Sequence, residues 1–127
     1  MFPDRQRRIL LTGATGTLGT QLALQLCREG AELILPVRSA TKGQALQKQL
    51  LTACPEARLS FPVLDLADEA SVHALAAGLL ENQLRLDALV LNAGVFTKAG
   101  RTSPQGNEMH MQVNCSSQLL LTRLLLP

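Results

Sequence analysis

Short apolar runs alternate with stretches of helical periodicity from one end of the chain to the other. Residues 8–12 form an apolar run of strand length. Over 17–29 the leucines return at helical spacing, with Leu18, Leu22 and Leu26 on one face and Ala23 beside them, and Gly30 stands where a helix C-terminus is expected. A second apolar run covers 31–37. Residues 41–53 read as a helix with Leu46, Leu50 and Leu51 inward, closed by Pro55, and 58–64 read as a third strand. Asp68 is placed as the N-cap of a helix over 70–84, whose apolar positions are Val72, Leu75, Ala76, Leu79 and Leu80. A fourth strand at 87–91, a loop at 96–105 and a last helix from about 107 to 126 complete the chain.

The order is β-α-β-α-β-α-β-α. Strands that alternate with helices of this length predict an α/β fold with a parallel sheet covered on both faces. Right-handed crossovers leave few topologies, and the expected sheet order is 3-2-1-4, one half of a doubly wound fold together with its switch point. Pro36 is an objection to the second strand, because it removes a ladder donor; a strand end tolerates this better than a strand centre.

Composition narrows the class. The chain has 127 residues, the size of one domain, and 46% of them are hydrophobic, enough for a core. A net charge of +2 is too weak to argue for nucleic acid or a membrane surface. Arg5, Arg7 and Arg8 read as a solvated terminus. No apolar run reaches the ~18 residues of a membrane span, and Ile9-Leu10-Leu11 is too short for a signal-peptide core, so the expected location is cytoplasmic. Cys27, Cys54 and Cys115 show no metal-ligand or CxxC spacing and read as packed or surface thiols.

The first strand runs directly into Thr12-Gly13-Ala14-Thr15-Gly16-Thr17-Leu18-Gly19, and a helix follows. The spacing is G-x-x-G-x-x-G rather than G-x-G-x-x-G. One glycine permits a tight turn, one lets the backbone approach a pyrophosphate, and the last lets helix and strand pack closely. The helix N-terminus supplies unpaired N–H groups and partial positive charge, and Thr15 and Thr17 add hydroxyls. Without a ligand the same pattern is a plain turn; the strand–turn–helix setting points to a Rossmann-type dinucleotide site.

A site for NAD requires a carboxylate about 20 residues further on, to accept from the ribose 2′-OH. Arg38-Ser39 stand there instead, with Lys42 close behind. A guanidinium binds a 2′-phosphate bidentately, so NADP(H) is expected over NAD(H). The alternative is a solvated arginine at a strand end.

Three later motifs join the glycine turn: Asp65-Leu66 after the third strand, Asn92-Ala93-Gly94 after the fourth, and Val113-Asn114 inside the last helix. In order and spacing, the four together resemble the short-chain dehydrogenase/reductase family over essentially the whole chain. Asn92-Ala93-Gly94 argues for its non-extended branch, and 106–127, with its leucine-rich tail, looks most like the retinol-dehydrogenase-like branch. The resemblance implies a cofactor set of Gly13, Thr15, Gly16, Thr17, Leu18, Gly19, Arg38, Ser39, Lys42, Asp65, Leu66, Asn92, Ala93, Gly94 and Val113. Asp65 would accept from the adenine amino group with Leu66 beside the base. Asn92-Ala93-Gly94 would floor the nicotinamide ribose, where a bulky side chain at Gly94 would block the cofactor. Asn114, the one catalytic position implied, would kink its helix and hold a relay water through its carbonyl. Read blandly, Asp65 is a turn residue and Asn114 a surface asparagine.

The family moves a hydride between nicotinamide and an alcohol or carbonyl, with a Tyr-x-x-x-Lys pair and a serine handling the proton. This chain has no tyrosine. His73 and His110 show no carboxylate or nucleophile partner, and Ser116 and Ser117 do not match the catalytic serine's place. The expectation is one NADP(H)-binding domain over 1–127 that lacks the catalytic half and reduces nothing alone. Its fourth strand is an open edge and its last helix is apolar on more than one face, so self-association through either is expected. Three readings stand: the cofactor-binding part of an oxidoreductase acting on a small lipophilic alcohol or carbonyl; a non-catalytic NADP(H)-binding or regulatory module; and a fragment that never folds alone.

Overall fold

The computed structural model describes residues 6–94 and 101–126. The elements are β1 (Arg8–Leu11), α1 (Thr17–Arg28), β2 (Glu32–Ile34), α2 (Ala40–Ala53), β3 (Leu59–Ser60), α3 (Glu69–Glu81) and β4 (Ala88–Val90). They are followed by α4 (Met109–Met111), a π-helical turn (Gln112–Ser116) and α5 (Ser117–Leu125), which together make the last helix. The four strands form one parallel sheet in the order β3-β2-β1-β4, as the alternation implied. Arg5 and the part of the expected loop from Phe96 to Gly100 lie outside the described residues. Among the described residues no helix is long and apolar enough to cross a membrane.

The described residues group into two compact units. One takes in those of Met1–Val63 and Arg85–Asn92, and the other those of Leu64–Leu84 and Ala93–Pro127. The first contains the whole sheet with α1 and α2, and the second contains α3 and the last helix.

In the first unit, alternate residues of the strands, Ile9 and Leu11 with Leu33 and Leu35, build a core with Ala23 and Cys27 of α1 and Leu46 and Leu50 of α2. The buried line on α1 is Gly19, Ala23 and Cys27, not the leucines. Leu18, expected inward, is 65% exposed. The helix lies so close to the chain before it that only small side chains fit between, and the leucines are pushed to the flanks or into solvent. Leu51 on α2 is likewise only half-buried.

The second and third strands are shorter than expected, because Pro36 has no N–H to give to β1 beyond Ile34 and Pro62 has none to give back to β2. Leu33, Leu35 and Val37 each donate to the third-strand side, to the carbonyls of Arg58, Ser60 and Pro62 at 2.8–2.9 Å. A parallel ladder needs return bonds, and Pro62 has no N–H to give one. The pairing therefore thins to a single bridge between Val37 and Val63. Arg8 is no solvated terminus either. Its Nε pairs with Glu32 Oε2 at 3.2 Å, its Nη1 donates to the Arg85 carbonyl, and its backbone N–H donates to Asp87 Oδ2, so it ties the entry of β1 to both neighbours.

In the second unit Asp68 caps α3, accepting from the Ala70 N–H at 3.0 Å. The helix stops at Glu81 rather than 84, because Gln83 takes a left-handed φ of 53° that no helix can continue. Val72, Leu75, Ala76 and Leu79 are buried, whereas Leu80 is 58% exposed. α3 packs on α5. Glu108 caps the last helix, accepting from the Met111 N–H. At 2.6 Å from Glu108 Oε1 lies His110 Nδ1, so that histidine does have a carboxylate partner.

Candidate functional site

Each glycine of the turn after β1 is there for a different reason. Gly13 sits at φ 73°, a conformation costly for any residue with a Cβ. Gly19 is required by packing: a Cβ there would lie 1.9 Å from the Gly13 carbonyl oxygen and 2.8 Å from Ala14 Cα. Gly16 is required by neither. It has a negative φ of −79°, it is exposed, and a Cβ would meet only the Gly13 oxygen at an ordinary 3.5 Å. It is also the N-cap of α1, so the cap itself brings no side chain to the helix's first N–H groups, and no acidic residue occupies the first turn. Thr15, Thr17 and Leu18 stand exposed around it.

The turn is held from below by residues that hydropathy could not reveal. Thr12 is buried, and its Oγ1 accepts from the Asn92 N–H at 3.0 Å. Asn92 Nδ2 in turn donates to the Gly13 carbonyl at 3.3 Å, and Thr20 Oγ1 donates to the Ala14 carbonyl at 2.9 Å. The end of β4 thus pins the glycine turn.

At the N-terminus of α2 stand Arg38, Ser39 and Lys42. Ser39 is the N-cap, and its Oγ accepts from the Lys42 N–H at 3.4 Å. Arg38 and Lys42 are exposed, and neither forms an ion pair with a described residue. The first turn of α2 has no acidic residue. Two cations and a helix N-terminus thus stand on one short segment, a combination whose charge and N–H groups favour an anion nearby.

The second unit carries the other motif residues. Asp65 Oδ1 accepts from the Ala67 N–H at 2.9 Å, and the Asp65 N–H donates to Ser71 Oγ, so Asp65 does shape a turn. Leu66 is 8% exposed, and its carbonyl accepts from Ser117 Oγ at 2.5 Å. The Ala93 carbonyl accepts from Gln118 Nε2 at 2.8 Å. Gly94 is exposed, and among the described residues a Cβ on it would meet only Asn114 Oδ1, at an ordinary 3.6 Å. Asn114 itself lies in the π-helical turn.

A π-turn interrupts the i→i−4 ladder and leaves a carbonyl to be satisfied by something else. Gln118 Nε2 does this for Val113, at 3.1 Å. Gln112, fully buried, anchors the start of the turn. Its Oε1 accepts from Asn107 Nδ2 at 2.6 Å and Ser103 Oγ at 3.3 Å, and its Nε2 donates to Ser117 Oγ at 2.7 Å and Glu69 Oε1 at 3.4 Å. Sequence reasoning missed Gln112, Ser117 and Gln118. Buried polar residues at helical spacing look like a solvated face, and the one available signal was a Gln on either side of Asn114.

The profile of the family described as short chain dehydrogenase matches residues 7–127. The chain is 40% identical over 123 residues to human dehydrogenase/reductase SDR family member 13, covering 97% of this chain and 32% of that protein. It is 35% identical over 118 residues to human retinol dehydrogenase 11, covering 93% of this chain and 37% of that protein. Among solved structures, a short chain dehydrogenase from Escherichia coli CFT073 complexed with NADPH superposes with a TM-score of 0.79 at 30% identity, covering 95% of this chain and 52% of that one. The chain therefore spans about a third of the curated relatives it matches.

Proposed function

The chain belongs to the short-chain dehydrogenase family, and from that premise we propose that it is the cofactor-binding part of an NADP(H)-dependent oxidoreductase. The observation that carries this reading is the exposed, side-chain-free N-terminus of α1 at Gly16, at a position where the fold itself makes no demand for glycine. A pyrophosphate approaching that end would meet N–H donors and partial positive charge with no Cβ in its way.

Arg38 selects the cofactor. Its guanidinium, with Lys42 and the N-terminus of α2, receives the 2′-phosphate that distinguishes NADP(H). A charged hydrogen bond of this kind contributes about 1.5–3 kcal/mol, roughly ten- to a hundredfold in preference. In the second unit Asp65 accepts from the adenine amino group and Gly94 leaves room for the nicotinamide ribose. Asn114, in its π-turn, offers its carbonyl to a water. The bound nicotinamide supplies hydride transfer; these residues bind and orient it. The whole protein's substrate is a lipophilic alcohol or carbonyl, a reading supported by the likeness to retinol dehydrogenase 11.

The test is equilibrium dialysis of the chain and its Arg38→Asp variant against NADPH and NADH. The unmutated chain prefers NADPH by tenfold or more, and the variant loses or reverses that preference. Equal affinity for the two cofactors in the unmutated chain would overturn the assignment of Arg38, and failure to bind either would overturn the cofactor reading as a whole.

A further inference from the structure

Away from the glycine turn, the C-terminal ends of α1 and α2 line an open cavity of about 660 Å³. Cys27 and Cys54 both line it, with Arg28, Gly30, Pro55 and Glu56. These two thiols, 27 positions apart in the sequence, meet because α1 and α2 pack side by side on the same face of the sheet. Both are free. The pair is unequal. Cys27 is in the last turn of α1 and 6% exposed. Cys54 is half-buried and sits just past α2 as its C-cap, with non-helical φ −136° and ψ 83°. Its side chain lines the cavity and packs against the edge of the core that holds Cys27.

We propose that Cys27 and Cys54 form a dithiol modification site, which a small-molecule disulfide oxidises, through a mixed disulfide on Cys54, to a bond joining the ends of α1 and α2. The Cys54 thiol loses its proton, and its sulfur attacks one sulfur of the small disulfide. A Cys54–S–S–R bond forms and R–S⁻ leaves, taking up a proton. Cys27 then loses its proton and attacks the Cys54 sulfur; the protein disulfide forms and a second R–S⁻ leaves to become R–SH. Two protein thiols are oxidised and one small disulfide is reduced to two thiols.

The surroundings favour this order. Burial, with the Cys54 thiol beside it acting in the same direction, pushes the Cys27 thiol up to about 11, so Cys27 is the resolving thiol and not the first to react. Arg28 at the cavity wall offers a cation to a disulfide that carries carboxylates. Metal binding is the less suited use. Among the described residues no third His, Cys, Asp or Glu, Glu56 included, stands where it could hold a metal ion together with the pair, and structural zinc needs four ligands. Cys115, exposed in the π-turn, is an internal control.

The experiment incubates the reduced chain with oxidised glutathione, alkylates the remaining thiols and maps disulfides by peptide mass spectrometry. The expected result is a glutathione adduct on Cys54 that gives way to a Cys27–Cys54 cross-link. That cross-link forms roughly tenfold faster in the native chain than in the chain unfolded in urea. It persists in Cys115→Ser, whereas in Cys27→Ala the Cys54 adduct accumulates unresolved. Equal native and unfolded rates, or cross-links made chiefly with Cys115, would overturn the proposal. So would a native Cys54 adduct that never resolves in the unmutated chain, a readout that does not depend on either variant folding.

Discussion

The glycine turn after β1 and the π-turn of the last helix are both irregular pieces of backbone, and they are built by opposite means. The first is defined by side chains that are missing. At Gly19 the backbone of Gly13 and Ala14 occupies the space a Cβ would need. The second is defined by side chains that are present: Gln112 and Gln118 fill it with hydrogen bonds. The first region is therefore broken by adding atoms and the second by removing polar ones.

The largest effect is expected at Gly19. Gly19→Ala forces a Cβ into backbone that cannot rotate away, and should cost about 3 kcal/mol or more of stability, read as a lower urea midpoint with an unchanged slope. Full stability in this variant would show that α1 does not lie against the turn as described. Next comes Gln112→Leu, nearly equal in volume. It strips partners from Ser103, Asn107 and Ser117, and should cost about 2 kcal/mol. If chemical denaturation finds it neutral, the buried amide is not what holds the π-turn.

Gly94→Ala sharpens the contrast, because here a glycine is not demanded by the fold. Among the described residues its Cβ would meet only ordinary contact, so the stability change should stay within about 0.5 kcal/mol while NADPH affinity falls. A variant that unfolds, or that binds as before, would deny Gly94 its place at the cofactor. The smallest effect belongs to Glu108. The N–H of Met111, then the bonds from His110, hold its carboxyl below the ordinary 4.5. A group lowered on folding stabilises the native state above its unfolded value and loses that contribution as pH falls through the folded one. Glu108→Gln should lose that small contribution at neutral pH and converge with the unmutated chain in acid, so that the pH dependence of stability flattens below about pH 4.5; an unchanged acid limb would contradict the cap.

The same contrast explains what could be read from the sequence. Strand order and the glycine turn were legible because both rest on strong local signals: apolar runs alternating with helical repeats, and glycines between a strand and a helix. The inward face of α1 was misread, because leucines mark burial only where there is room for them, and the line Gly19-Ala23-Cys27 is set by how closely the helix approaches. The shortening of the third strand depends on which neighbour Pro62 faces, which is a matter of register. The pairing of His110 with Glu108, the anchoring of Arg8 and the buried glutamines are contacts of geometry rather than pattern. The meeting of Cys27 with Cys54 follows only from the packing of α1 on α2, and no spacing rule reaches it.

The most direct test of the central claim is a heteronuclear NMR titration of the chain with NADPH, with NADH for comparison. Saturable NADPH-dependent shifts are predicted in the amides of Gly13 to Gly19 and of Ser39 to Lys42, with the second group moving far less in NADH. Unchanged amides around Gly16, or shifts confined to residues outside these two helix N-termini, would contradict the account.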